Sequence, residues 1–357
     1  MKKSIVQFGS AMAAIVVASL MLTSCGGNGS SADDKTITGG GSSFDKPLFD
    51  KQFAEYNKLN GAKINYQSIG SGAGIAQLTS KTVDFAASDA PMNGKQDSAV
   101  SAPVLHIPVT AGAVVLSYNL PEVKDTLKLT PEIIAAMFLG KITKWNDPQI
   151  VAANPTIKIP ATDILVAHRA DGSGTTNIFT TYLSKVSPEW EAKVSKGSTV
   201  NWPVGTGGKG NEGVAGIIKQ TPGTIGYIEL AYAVKNNMQY ASVKNKAGNF
   251  ITPSSESVKA AANISLPADS KISLTNSDAP EGYPISGFSW VLIYKEQSYN
   301  SRTQGQAEQL VKLVDWMIHD GQKFSADLQY APLSDNAVST GEAVLKSATY
   351  KGQPILK

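Results

Sequence analysis

The 357-residue chain holds one cysteine, Cys25, and three histidines, His106, His168 and His319. A lone cysteine excludes a disulfide framework within the chain, and so few Cys and His leave no cluster with metal-ligand spacing. Excess charge of one sign is also missing: 32 basic residues against 29 acidic give a net +3. A nucleic-acid binder normally carries a stronger basic excess or a clustered basic face, and neither is visible. After residue 22 no apolar run approaches the ~20 residues needed to span a bilayer. What the chain does have is 42% hydrophobic residues, too many for a disordered protein. At about 100–200 residues per domain, its length suits two domains.

The first 25 residues read as an address. Lys2 and Lys3 precede an apolar stretch from Ala11 to Leu22, too short to cross a bilayer and typical of a secretory signal, here assigned to residues 1–24. The signal ends Leu22-Thr23-Ser24-Cys25, which resembles a bacterial lipoprotein cleavage box, a family in which the cysteine is lipidated and becomes the mature N-terminus. Cleavage there removes 24 residues and two positive charges, leaving 333 residues and a net +1. The small, polar stretch that follows makes residues 25–35 a flexible leash between a lipid anchor and the fold.

Beyond the leash, short apolar strands alternate with amphipathic helices, a pattern of α/β architecture. Strands are expected at Ala62–Gln67, Ala113–Tyr118 and Ser286–Tyr294. One helix is expected after Thr130 as N-cap, with Pro131 at its first position and Gly140 just past its end. Another places Ala307, Leu310, Val311, Val314, Met317 and Ile318 on one face at helical spacing.

Four clusters of small residues sit between strand-like and helix-like runs. They are Gly39–Phe44, Ile69–Ile75, Val83–Pro91, and His168–Thr176 with the run Arg169-Ala-Asp-Gly-Ser-Gly-Thr175. Singly, each is an ordinary turn or N-cap. Together they describe an anion site: helix N-termini offer unpaired amides, glycine lets the backbone approach, and hydroxyls add donors. Asp89 is the discriminating residue. A carboxylate beside an anion repels it unless the ligand brings a proton to donate, as hydrogen phosphate can and sulfate at neutral pH cannot. Asp171 is positioned to pair with Arg169 and fix its fork.

At these residues the chain closely resembles the extracytoplasmic phosphate-binding proteins of bacterial ABC-type phosphate importers. The likeness runs through Tyr66-Gln67, Gly70-Ser71, Val83-Asp-Phe85, Ala87–Pro91, Gly140–Ile142 with Lys144-Trp145, Arg169–Thr175, Trp202-Pro203, Gly207–Asn211 and Gly226-Tyr227. It implies ligand contacts from Ser43, Phe44, Ser71, Asp89, Arg169, Asp171, Ser173, Gly174 and Thr175. Two departures are visible: Ser43 stands where threonine is common, and His168 where a second arginine is often found, beside the site. The resemblance implies a two-lobed periplasmic binding protein fold of type II-like form, with crossover hinge strands and the ligand in the cleft. One lobe is expected at 36–113 plus 287–357 and the other at 114–286.

Two rival readings fail on spacing. A nucleophile elbow around Ser173 would need glycine at 171 and 175, where Asp171 and Thr175 stand. A nucleotide-binding loop at Gly205–Asn211 would need glycine at 203 and a hydroxyl at 210, where Pro203 and Gly210 stand. The expectation is therefore a lipid-anchored, monomeric receptor in the cell envelope that hands inorganic phosphate to a membrane permease. No cofactor, metal or catalysis is expected.

Overall fold

The computed structural model describes residues 36–356; the expected leader, Cys25 and the leash lie outside the described residues. The first half begins β1 (Thr36–Gly41), α1 (Lys46–Asn60), β2 (Lys63–Ser68), α2 (Ser71–Thr79) and β3 (Phe85–Ser88). The fifteen-residue β4 (Val104–Tyr118) follows, then α3 (Pro131–Phe138), β5 (Leu165–Arg169), α4 (Gly174–Val186), β6 (Thr206–Gly208) and α5 (Gly210–Gln220). Next come β7 (Thr224–Glu229) and α6 (Leu230–Lys235), and the chain returns through β8 (Ser286–Tyr294), α7 (Gln304–Ile318) and α8 (Asp335–Lys346).

These strands form one continuous path, β2-β1-β3-β8-β4-β7-β5-β6. At one end β1 pairs in parallel with β2 and β3; at the other β5 pairs in parallel with β6 and β7. The two parallel groups are joined through antiparallel β8 and β4. Residues 104–113 of β4 pair with β8, and Val114–Tyr118 pair with β7. One strand thus serves two half-sheets, and the fold is the two-lobed form expected from the sequence. Each half carries its own aromatic cluster: Phe49, Phe53, Tyr66 and Phe85 in the first, Phe138, Phe179, Trp202 and Tyr227 in the second. Burying each such ring contributes roughly 1.5–3 kcal/mol, so each lobe has an anchor of its own.

Local sequence accounts for most elements. The Thr130 hydroxyl accepts from the Ile133 amide, Pro131 opens α3, and Gly140 follows with φ of 72°. The six residues placed on one face of α7 are all buried. The strand expected at 113–118 starts nine residues earlier, at Val104, because the ladder to β8 tolerates Pro108. Trp290 pairs with Pro108 and Ser289 with Thr110, a register shift that absorbs Val109 beside a residue with no amide to donate. Before β8 the chain touches the first lobe: Ser270 Oγ donates to the His106 carbonyl (2.7 Å), and the Leu266 amide donates to Asn336 Oδ1 (3.0 Å). Among the described residues no helix is long and apolar enough to cross a membrane.

Candidate functional site

The glycine and hydroxyl clusters converge where the two lobes face each other. Helix α2 starts at Ser71 directly after Gly70, whose φ of 88° suits only a residue without Cβ. A Cβ at Gly70 would also fall 2.2 Å from Asp171 Oδ2 of the opposite lobe. On that opposite lobe β5 delivers Arg169 at its last position, and Ser173 caps α4 by accepting from the Thr176 amide at 3.0 Å. The cap occupies a lone pair of the Ser173 hydroxyl and leaves its proton free to donate.

Direct hydrogen bonds cross the cleft. Ser71 Oγ accepts from the Gly174 amide (3.1 Å), and the Gly72 amide donates to the Gly172 carbonyl (2.9 Å). Thr175 Oγ1 donates to Asp89 Oδ2 (3.2 Å), and Arg169 Nη1 donates to Thr175 Oγ1 (3.3 Å). Ser71, Asp89, Arg169, Gly174 and Thr175 are therefore joined in one hydrogen-bond network, Ser173 lies next to it in the chain as the cap of α4, and all six are buried. Arg169 is clamped from behind: its Nε donates to Asp171 Oδ1 at 2.8 Å and its Nη2 to Asp171 Oδ2. Its backbone amide donates to the Tyr227 hydroxyl (3.0 Å), which fixes the end of β5. His168 stands apart, stacked on Trp202 with ring centroids 4.9 Å apart.

The first loop holds a division of labour that the sequence did not show. Ser43 Oγ accepts from the Asn211 amide (3.0 Å) and Asn211 Nδ2 (2.9 Å), again across the cleft. The neighbouring Ser42 donates to Asp89 Oδ1 and accepts from the Phe44 amide (2.9 Å). The Phe44 amide is thus engaged by Ser42, while its ring packs edge-on against Tyr330. Sequence reasoning passed over Ser42, Asn211, Asp45 and Ser289. Asn211 had a signal, since it stands at the second position of a helix behind a glycine-rich strand and within the Gly207–Asn211 block that carries the family likeness, where no ligand contact was expected.

Electrostatics set the character of the site. Burial pushes the Asp89 carboxyl up to about 6, against Ser42, the Arg169 charge and Thr175, which favour its ionised form. Partial burial disfavours the Asp171 carboxylate too, but the Arg169 guanidinium and the Gly210 amide outweigh it and hold Asp171 below the usual range. The arrangement brings together one buried arginine with its Asp171 partner, the buried Asp89 carboxyl, and several hydroxyl and amide groups. Such a pocket suits a small oxyanion that carries a proton. Among the described residues no cluster of His, Cys, Asp and Glu is placed to hold a metal.

Two half-sheets hinged by shared strands, with polar loops facing each other across the cleft, define the solute-binding-protein architecture. Residues 26–320 match the PBP superfamily domain. Over 311 residues the chain is 43% identical to the phosphate-binding protein PstS of Xylella fastidiosa, covering 86% of this chain and 84% of that protein. Over 313 residues it is 44% identical to the same protein of Haemophilus influenzae, covering 87% and 92%. The chain belongs to the PstS phosphate-binding protein family of phosphate ABC transporters. Among solved structures it is similar to a high-affinity periplasmic phosphate-binding protein bound with phosphate, with a TM-score of 0.69, 20% identity and coverage of 86% and 93%. A putative phosphate transporter substrate-binding protein from Clostridium perfringens gives a TM-score of 0.61 at 17% identity, covering 84% and 100%. At these identities the structural likeness speaks for the fold alone.

Proposed function

We propose that this protein captures inorganic phosphate outside the cytoplasmic membrane and delivers it to an ABC importer. The observation that carries the reading is Asp89: a buried carboxylate within a constellation of anion-binding donors, in a family of phosphate-binding proteins. Asp89 accepts the proton of hydrogen phosphate. Arg169, held by Asp171, neutralises charge, and the amides at the start of α4 with the hydroxyls of Ser43, Ser71, Ser173 and Thr175 complete the shell. The Phe44 amide joins it by exchanging Ser42 for ligand oxygen. Sulfate offers Asp89 no proton, so binding it buries an unpaired negative charge against another, a rejection on the order of several kcal/mol. Contacts from both lobes favour the closed form, since only that form satisfies both halves of the shell.

The family is one of binding proteins, so no catalytic step is assigned. The lobes are taken as residues 36–113 with 287–357, and 114–286. Exported and anchored through lipidated Cys25, the monomer works in the envelope beside its permease. Calorimetry on the purified chain decides the central claim: tight phosphate binding with negligible heat for sulfate is expected, and equal affinity for the two ends it. For the anchor, Cys25→Ser moves the protein from the membrane fraction to the soluble one.

A further inference from the structure

Asp89 is not the only buried carboxyl in the cleft. Asp45 stands at the start of α1 with no exposed surface, yet its side chain makes no cap bond to the helix. Among the described residues it has no ion pair, and its Oδ1 has no partner. Its Oδ2 lies 2.6 Å from Ser289 Oγ, and the same Oγ lies 3.3 Å from Asp89 Oδ1. Ser289 sits at the register shift of β8 opposite β4, the kind of irregularity that re-aims a side chain.

A serine hydroxyl has one proton, and this one faces two carboxyl oxygens. If both carboxyls were ionised, two like charges would share that proton in a dry pocket. A single proton on Asp45 Oδ2 removes the conflict: Asp45 donates to Ser289 Oγ, and Ser289 donates to Asp89 Oδ1. The proton belongs on Asp45: Ser42 and Ser289 lie against both carboxyls, but only Asp89 has the Arg169 charge and the Thr175 hydroxyl as well, and Asp45 Oδ1 has no hydrogen bond. The other groups packed around Asp45 supply no cation. The phenols of Tyr66, Tyr232 and Tyr330 donate to the carbonyls of Ser42 (2.7 Å), Ser43 (2.7 Å) and Phe44 (2.6 Å). Glu229, buried at the start of α6 with its own unpartnered Oε1, adds only acidic character. Burial, and after it the Asp89 charge, push the Asp45 carboxyl well above the usual carboxylate range.

We propose that Asp45 is a positioning residue for the anion site: its protonated carboxyl turns the Ser289 hydroxyl towards Asp89 and so keeps Asp89 the ionised acceptor. This rests on the reading that Asp89 takes the ligand's proton, and it adds a second residue that sets the pH range in which Asp89 does so.

Two measurements on the full chain test it. An infrared difference spectrum of wild type against Asp45→Asn at pH 7 is expected to lose a protonated-carboxyl band; loss of carboxylate bands instead overturns the proposal. Phosphate affinity is then followed against pH. Asp45→Asn, neutral and still a donor, is expected to keep the wild-type acid limb, whereas Ser289→Ala moves that limb to higher pH. At about pH 5 the Ser289→Ala loss is roughly tenfold, as for one hydrogen bond to a charged group. An acid limb that moves to lower pH in Asp45→Asn means Asp45 was charged, which also overturns the proposal. Should Asp45→Asn not fold, the Ser289→Ala profile decides alone, and an unmoved acid limb sinks it. Failure of wild type to bind phosphate at any pH defeats the functional reading instead, while the infrared result still reports on Asp45.

Discussion

Ser71 and Gly174, separated by 103 positions in the chain, meet across the cleft, where the Ser71 hydroxyl accepts from the Gly174 amide at 3.1 Å. The contact depends on the absence of a side chain at 174. A Cβ there would fall 2.6 Å from the Asp89 amide nitrogen and 2.7 Å from Asp89 Cβ. Gly174→Ala is therefore expected to hold the lobes apart. Alanine suits a helix start well enough that the ligand-free melting temperature stays within a few degrees. Phosphate affinity falls by at least about tenfold, and small-angle scattering shows a wider particle when phosphate is added. Wild-type affinity in this variant would disprove the tight closure.

Arg169 is buried with its fork set by Asp171, and in the proposed site it is the positive charge that meets the ligand. Arg169→Ala leaves Asp171 and the ligand without a counter-charge and is expected to cost roughly 3 kcal/mol of binding, about a hundredfold. Arg169→Lys recovers only part, since a point charge cannot replace a planar fork. Titration calorimetry at one pH separates the three proteins.

Asp89→Asn addresses selectivity. The amide can still meet an oxyanion, but it no longer demands a ligand proton. Phosphate binding weakens, sulfate binding strengthens, and the ratio of the two affinities narrows by at least about tenfold. Competition of sulfate against labelled phosphate measures this, and an unchanged ratio removes Asp89 from discrimination.

The same residue predicts an unusual pH dependence of stability. The unfolded chain loses the Asp89 proton near the ordinary value of 3.8, the folded chain near about 6. Between those values the folded state binds more protons, so this contribution falls as pH rises and its penalty is complete above about pH 6. The shift corresponds to at most roughly 3 kcal/mol. Asp89→Asn is expected to raise the ligand-free melting temperature at pH 7.5 by several degrees and to change little at pH 4. Equal gains at both pH values would contradict the assignment.

Asn211 links three elements. Its Nδ2 reaches Ser43 Oγ (2.9 Å) and Thr175 Oγ1 (3.2 Å), and its Oδ1 accepts from the Glu229 amide (2.9 Å). Asn211→Ala leaves a buried amide without a partner, a loss of about 1–3 kcal/mol in stability. Phosphate affinity weakens as well, because the first loop loses its tie to the second lobe. Thermal melts and calorimetry on one preparation check both effects.

The elements legible from sequence share a property: their signals are local. Thr130 and Pro131 announce α3 because capping is settled within four residues, and the buried face of α7 shows in its 3.6-residue spacing. The glycine and hydroxyl clusters were visible for the same reason. The full length of β4 was not legible, because Pro108 argues against a strand unless the bulge at Val109 beside it is known. Ser42 and Ser43 are adjacent hydroxyls with the same chemistry, and nothing in the chain says which one faces Asp89 and which faces Asn211.

Sequence by itself determined the α/β class and the clusters of glycine, hydroxyl, arginine and aspartate residues, Asp89 among them, that the fold brings together. These are properties of short segments and of side-chain chemistry. Tertiary structure decided which donors face one another, that Gly174 must stay bare because Asp89 lies against it, and that Asp45 reaches Asp89 through Ser289. Those relationships join residues as far as 244 positions apart. Their geometry is set by the twist and register of the two half-sheets rather than by any stretch of chain.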